Sequence, residues 1–144
     1  MKDSIEDLIA LCRIFSMFER EQVCCGTVTV QQCVALQSLL DSPSEVVPLA
    51  ERLGSSPSAM TRLIDGLVSR NWVERGSDPQ DRRRVQIQLT EEGQVEAKRL
   101  RRLTEAAIDL VIHKIPKDKR AQVLESITLI RKAMEEARDA VQCC

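Results

Sequence analysis

The sequence predicts a mainly α fold with a small β-hairpin wing, a winged helix-turn-helix dimerised through its N- and C-terminal helices. Three observations predict it. Two short helices meet across a Gly-Ser turn near residue 54. A segment of period two, Val85, Ile87 and Leu89 alternating with Arg84, Gln86 and Gln88, follows a turn-rich loop. Long segments of helical period lie on both sides of these features.

The first helix is expected from Ser4 to about Gln22, with Ile5, Leu8, Cys12 and Phe15 at helical spacing and Gly26 as its break. Thr29 and Gln32 form a capping box that starts a second helix, whose apolar stripe is Cys33, Leu36 and Leu40. "DSPSE" is a turn, and "VVPLAERLG" a short helix with Gly54 at C′. Ser56 is the N-cap of the next helix and Pro57 its first residue, where a missing N–H costs nothing. Met60, Leu63, Ile64, Leu67 and Val68 face inward, which leaves Ser58, Thr61, Arg62 and Asp65 outward. "WVER" and "RVQIQL" pair around "GSDPQD" as a hairpin. Thr90 caps a long helix to about His113, with Val95, Leu100, Leu103, Ala107 and Leu110 on one side, and Pro116 interrupts. In the last helix Val123, Ile127, Ile130, Met134, Ala137 and Val141 form a seam that needs a second helix along its length.

At 144 residues, one intertwined domain is expected. In it, residues 1–40 and 90–144 form a helical dimerisation and sensing region, and residues 41–89 a winged DNA-binding lobe. Charge separates along the same lines. Residues 1–51 carry 3 bases and 8 acids, residues 52–84 carry 7 Arg and 4 acids, and residues 85–144 carry 11 bases and 10 acids. The overall charge of −1 therefore conceals a cationic centre, the footprint of a polyanionic partner. Two Phe, one Trp and no Tyr offer little base stacking, which argues against single-stranded nucleic acid. The opening "MKDSIEDLIALCRIF" has acids where a signal peptide has bases, and no apolar run spans a membrane, so a cytoplasmic location is expected. With one histidine and no glycine loop for phosphate, an enzyme is not expected.

In a helix-turn-helix the second helix enters the major groove with its N-terminal residues at base edges. Ser58 and Thr61 supply short donors and acceptors there, and Arg62 can pair with a guanine or a phosphate. The wing presents Arg82, Arg83 and Arg84 beside Asp81, suited to a narrow minor groove.

"LAERLGSSPSAMTRLIDGLVSRNWVERGSDPQDRRRVQIQLTEEGQ", Leu49 to Gln94, resembles the MarR family of bacterial transcriptional regulators, with "DRR" followed by "LTEEG" as the most specific part. The resemblance implies an obligate homodimer that sets two winged lobes on double-stranded DNA at a pseudo-palindromic operator. Carried onto this chain, the DNA-contacting residues would be Ser56, Ser58, Thr61 and Arg62 of the recognition helix. Asp81, Arg82 and Arg83 would be those of the wing, with Arg84 extending the motif.

The six cysteines, Cys12, Cys24, Cys25, Cys33, Cys143 and Cys144, all lie outside residues 34–142. Structural disulfides are not expected of a cytosolic chain. Cys12 and Cys33 fall on apolar stripes, where a thiol serves as a small hydrophobe. Cys24, Cys25 and Cys33 can alternatively gather as thiolates for a soft metal or metalloid, namely arsenite, antimonite, Hg, Zn or Cu. Cys143, Cys144 and His113 are secondary candidates for that site. A redox switch is the competing reading, although Glu19 and Glu21 beside the pair disfavour a reactive thiolate. Release by a small aromatic ligand is the third. The expectation is a repressor whose grip on DNA is switched at these thiols.

Overall fold

The computed structural model describes residues 2–18 and 28–137. The chain divides into two compact units, residues 1–105 and 106–144. The elements in order are α1 (Lys2–Phe18), α2 (Val30–Leu39), α3 (Val46–Arg52), α4 (Pro57–Ser69), β1 (Val73–Ser77), β2 (Val85–Leu89), α5 (Glu91–Lys114) and α6 (Arg120–Ala137). The expected extension of the first helix to Gln22 falls outside the described residues.

In the first unit α2 starts at the expected capping box. Thr29 Oγ1 accepts from the Gln32 N–H at 3.2 Å, and Gln32 Oε1 accepts from the Thr29 N–H at 3.1 Å. Cys33, Ala35, Leu36 and Leu39 are its buried residues, while Leu40 is the half-buried C-cap. Helix α3 ends at Gly54, whose φ of 62° is the left-handed conformation of a C′ residue. The Ser55 N–H returns to the Ala50 carbonyl and the Gly54 N–H to Glu51, a Schellman closure. Ser56 then caps α4 by accepting from the Ala59 N–H at 3.2 Å. The far end of α4 repeats the closure with Asn71, φ 57°, as the Trp72 N–H bonds Leu67 O and the Asn71 N–H bonds Val68 O. Asparagine tolerates this backbone better than other side chains do.

The hairpin pairs β1 and β2 antiparallel, with Val73 opposite Leu89 and Ser77 opposite Val85. Ser44 adds a one-residue bridge to it by exchanging both backbone hydrogen bonds with Ile87, at 3.1 and 2.8 Å. Leu36, Leu49, Met60, Ile64, Leu67, Val73, Ile87 and Leu100 are fully buried in one core. Each contributes about 1.5–3 kcal/mol by leaving water.

The "LTEEG" run turns the hairpin into α5. Thr90 Oγ1 donates to Asn71 O at 2.6 Å and accepts from the Gly93 N–H at 2.9 Å. A Cβ on Gly93 would stand 1.7 Å from the Trp72 carbonyl oxygen, so only glycine allows this approach. Of the stripe expected on α5, Leu100 and Ala107 are buried and Leu103 is half-buried. Gly93, Ala97 and Leu100 are buried, whereas Val95 and Leu110 are each 68% exposed. Gly93 and Ala97 join the buried side because close backbone packing admits small residues there. Helix α2 and the start of α5 both supply core residues to this unit, so its core draws on segments beyond residues 41–89.

Helix α1 presents Ile5, Leu8, Ile9, Leu11, Cys12 and Ile14 as exposed residues. In the second unit Arg120 turns back to the end of α5. Its Nε donates to Ile115 O at 3.0 Å and its Nη2 to His113 O at 3.2 Å, capping carbonyls that lack helical partners. No described residue of α6 is buried, and Leu124, Ile127, Leu129, Ile130 and Met134 are exposed. Val141, the last residue of the expected seam, lies outside the described residues.

Candidate nucleic-acid interface

The surface of the first unit sorts its polar side chains into those used internally and those left outward. Along α4, Ser56 is engaged as the cap and stands 3.3 Å from the Ser58 hydroxyl. Thr61 Oγ1 donates to Pro57 O at 2.9 Å, which leaves its lone pairs for an outside donor. Arg62 is exposed, and its side chain has no hydrogen-bond or ion-pair partner among the described residues. Asp65, on the same helix, accepts from Arg75 of β1 at 2.6 Å, tying the hairpin to α4.

The loop between the strands is braced by its two aspartates. Asp78 accepts from the Gln80 N–H at 2.8 Å and from Gln86 Nε2 at 2.9 Å. Asp81 accepts from the Arg83 N–H at 3.0 Å. Asp81 therefore shapes the turn that carries the arginines. The side chains of Arg82 and Arg83 are exposed and without a partner among the described residues. Arg84 differs, since it pairs with Glu45 at the start of α3. The hydrogen bond that Arg84 donates to Glu45, and then the charge of Glu45, hold the Arg84 guanidinium above its ordinary pKa.

Two of these internal pairs, Asp65–Arg75 and Arg84–Glu45, were not anticipated from the sequence. Their members stand 10 and 39 residues apart, and no local pattern announces them. The Asn71 turn was readable, as asparagine after a helix is a known substitute for C′ glycine.

The proposed thiol site is described in part. Cys33 is fully buried, and its sulfur accepts from Gln37 Nε2 at 3.2 Å. The same amide donates to Thr104 Oγ1 of α5 at 3.1 Å. Cys24, Cys25, Cys143 and Cys144 lie outside the described residues. His113 is exposed, with Nδ1 2.7 Å from the Asp109 carbonyl oxygen. Among the described residues no three His, Cys, Asp or Glu side chains converge as a metal site. One cavity, of about 180 Å³, is lined by Val30, Gln31, Val34, Leu53, Ser55 and Met60. No helix among the described residues is long and apolar enough to cross a membrane.

Comparison with known proteins agrees with this geometry. The MarR family model matches residues 28–85, from the residue before the α2 cap to the start of β2. The transcriptional repressor MprA of Escherichia coli (strain K12) is 47% identical over 51 residues, covering 35% of this chain and 27% of MprA. The HTH-type transcriptional repressor MdtR of Bacillus subtilis (strain 168) is 38% identical over 69 residues, covering 47% and 44%. The matches thus span less than two thirds of these relatives' own length. A crystal structure of Streptococcus pneumoniae FabT in complex with DNA superposes with a TM-score of 0.79 at 16% identity, over 94% of this chain and 97% of that one. Likeness at that identity establishes the fold, a winged helix with flanking helices. Over residues 28–85, then, the chain is similar to the MarR family.

Proposed function

We propose that this protein is a transcriptional regulator, a repressor that binds double-stranded DNA as a homodimer, and not an enzyme. The observation that carries the reading is the pair of outward cation sets, Arg62 on α4 and Arg82–Arg83 at the hairpin tip, on a MarR-family segment. Helix α4 enters the major groove with Ser58, Thr61 and Arg62 at base edges, and Ser56 holds the helix start against a phosphate. The wing sends Arg82 and Arg83 to the adjacent minor groove, where they neutralise phosphates or enter a narrow A·T tract. The named relatives MprA and MdtR are repressors, which supports repression here. The exposed apolar residues of α1 and α6 support the dimer, since such surfaces mark association sites.

Selection of duplexes from a randomised library by the purified protein tests this reading. Enriched duplexes should then lose affinity for Arg62→Ala and Arg83→Ala by about 1–3 kcal/mol each, as base or phosphate contacts are removed. Enrichment of no sequence, or unchanged affinity in both variants, would overturn it.

The effector part of the proposal is ligation of a soft metal or metalloid by Cys24, Cys25 and Cys33. Its support is positional, since Cys33 sits in the α2 face that packs into the DNA-reading lobe. Drawing Cys33 out to a ligand would break its hydrogen bond with Gln37 and displace α2. A hundredfold drop in occupancy requires a preference of about 2.7 kcal/mol for the non-binding state. Titration of the reduced protein–DNA complex with arsenite, Hg(II), Zn(II), Cu(I) and peroxide tests it. Cys25→Ser should keep DNA affinity and lose release by the soft ion. Release by peroxide alone would replace ligation by oxidation.

A further inference from the structure

Three arginines stand in succession at the hairpin tip, and they are not equivalent. Arg82 and Arg83 are outward, with no side-chain partner among the described residues. Arg84 instead reaches Glu45 through Nη2. Its backbone also closes the tip, because the Arg84 N–H donates to Asp81 O at 2.9 Å and Arg84 O accepts from the Asp78 N–H at 3.0 Å. Arg84 is therefore the residue at which the wing loop joins β2.

Its partner is equally specific in place. Glu45 occupies the N-cap of α3 yet makes no side-chain capping bond, so its carboxylate is committed to Arg84 instead of its own helix. Its neighbour Ser44 holds the Ile87 backbone by two hydrogen bonds. Two adjacent residues before α3 thus grip β2, one through the backbone and one through a side chain. The backbone grip fixes the base of the hairpin, and the ion pair fixes the point from which the tip departs.

We propose that Glu45 and Arg84 form a latch that aims the wing, so that Arg82 and Arg83 reach the DNA while Arg84 does not. Glu45 is then a positioning residue for DNA recognition that never touches DNA. The inference rests on the DNA-binding reading above. Exposed ion pairs contribute little to global stability, so the latch acts on wing geometry and leaves the fold intact.

The sign of one substitution separates this from simple charge. Removing a carboxylate near a polyanion tightens binding if only electrostatics matters. The latch requires the opposite, so Glu45→Gln should weaken binding to the selected duplex about threefold to tenfold. Arg84→Ala should weaken it similarly. The slope of log K against log salt provides the second readout, because each phosphate contact contributes about one unit. Arg83→Ala should lower that slope by about one, and Glu45→Gln, which removes no cation, should lower it too because the contacts aimed by the latch are lost. The charge-exchanged double variant Glu45→Arg with Arg84→Glu should recover most of the lost affinity. In the DNA-free protein, amide exchange at Ile87 should quicken several-fold in Glu45→Gln and Arg84→Ala. Tighter binding by Glu45→Gln, or a salt slope that Glu45→Gln leaves unchanged, overturns the proposal. Unaltered amide exchange overturns the latch whether or not the protein binds DNA. A wild-type protein with no salt-dependent affinity for duplex DNA overturns the functional reading, which the exchange data do not depend on.

Discussion

The segment from α2 to the start of α5 and the helix α6 spend their apolar residues in opposite ways. Between α2 and the start of α5, the large aliphatic residues close a core inside the chain, with Leu36, Leu49, Ile64, Leu67, Ile87 and Leu100 fully buried. Along α6 none is buried, and Ile127, Ile130 and Met134 remain 42–61% exposed at the spacing of a packing seam. The lobe that would read DNA is complete within one chain. The seam of α6 is complete only with a second surface, and α1 repeats the pattern with Ile5, Leu8 and Ile9. Self-sufficiency in one place and need in the other is what a regulator requires if DNA affinity depends on how two lobes are held together.

The variant that should break this contrast most strongly is Ile127→Glu combined with Ile130→Glu. If both side chains are buried in a dimer, their loss costs about 3–6 kcal/mol of association. Sedimentation should show a monomer, and duplex affinity should fall with it. A dimer of unchanged strength would place the interface elsewhere. Next in size is Gly93→Ala, confined to the self-sufficient lobe. The new methyl must displace the Trp72 carbonyl, and overpacking of this severity costs about 3 kcal/mol. Thermal unfolding checks it, and an unshifted Tm would mean that α5 starts differently.

Smaller effects sharpen the picture inside the lobe. Ser56→Ala removes the cap of α4 and should cost about 1 kcal/mol, measured by denaturant unfolding. Last comes a dependence on pH. The hydrogen bond from Arg99, followed by its charge, holds the Glu96 carboxyl below the usual carboxylate range. A depressed carboxylate adds stability above its unfolded pKa and loses it as pH falls through the folded value. Stability should thus decline below about pH 4 in the wild type, and this small component should vanish in Glu96→Gln. Parallel pH curves for the two proteins would remove the pair from the account.

The sequence made the local parts of this architecture legible because their causes are local. Thr29 with Gln32, Gly54, Ser56 with Pro57, and the alternation at Val85 to Leu89 each act within a few residues, and each appears where expected. The inward side of α5 was legible at Leu100 and Ala107 but not at Gly93 and Ala97, since the burial of Gly93 follows from how closely it approaches a carbonyl 21 residues away in sequence. For the same reason the run of arginines read as one cationic tip. Only the fold, by bringing Glu45 beside Arg84, divides it into two side chains without a described partner and one tied to the start of α3.

The central claim is that two identical lobes, joined by the helical part, read two half-sites at once. A spacing series tests it most directly. The selected duplex should contain half-sites about one helical turn apart, roughly 10 bp. Inserting about 5 bp between them rotates one half-site to the opposite face of the duplex. The account predicts that affinity then falls to the non-specific level and returns when the insertion is a full turn. Affinity that ignores the insertion would mean that each lobe binds alone, and would contradict the account.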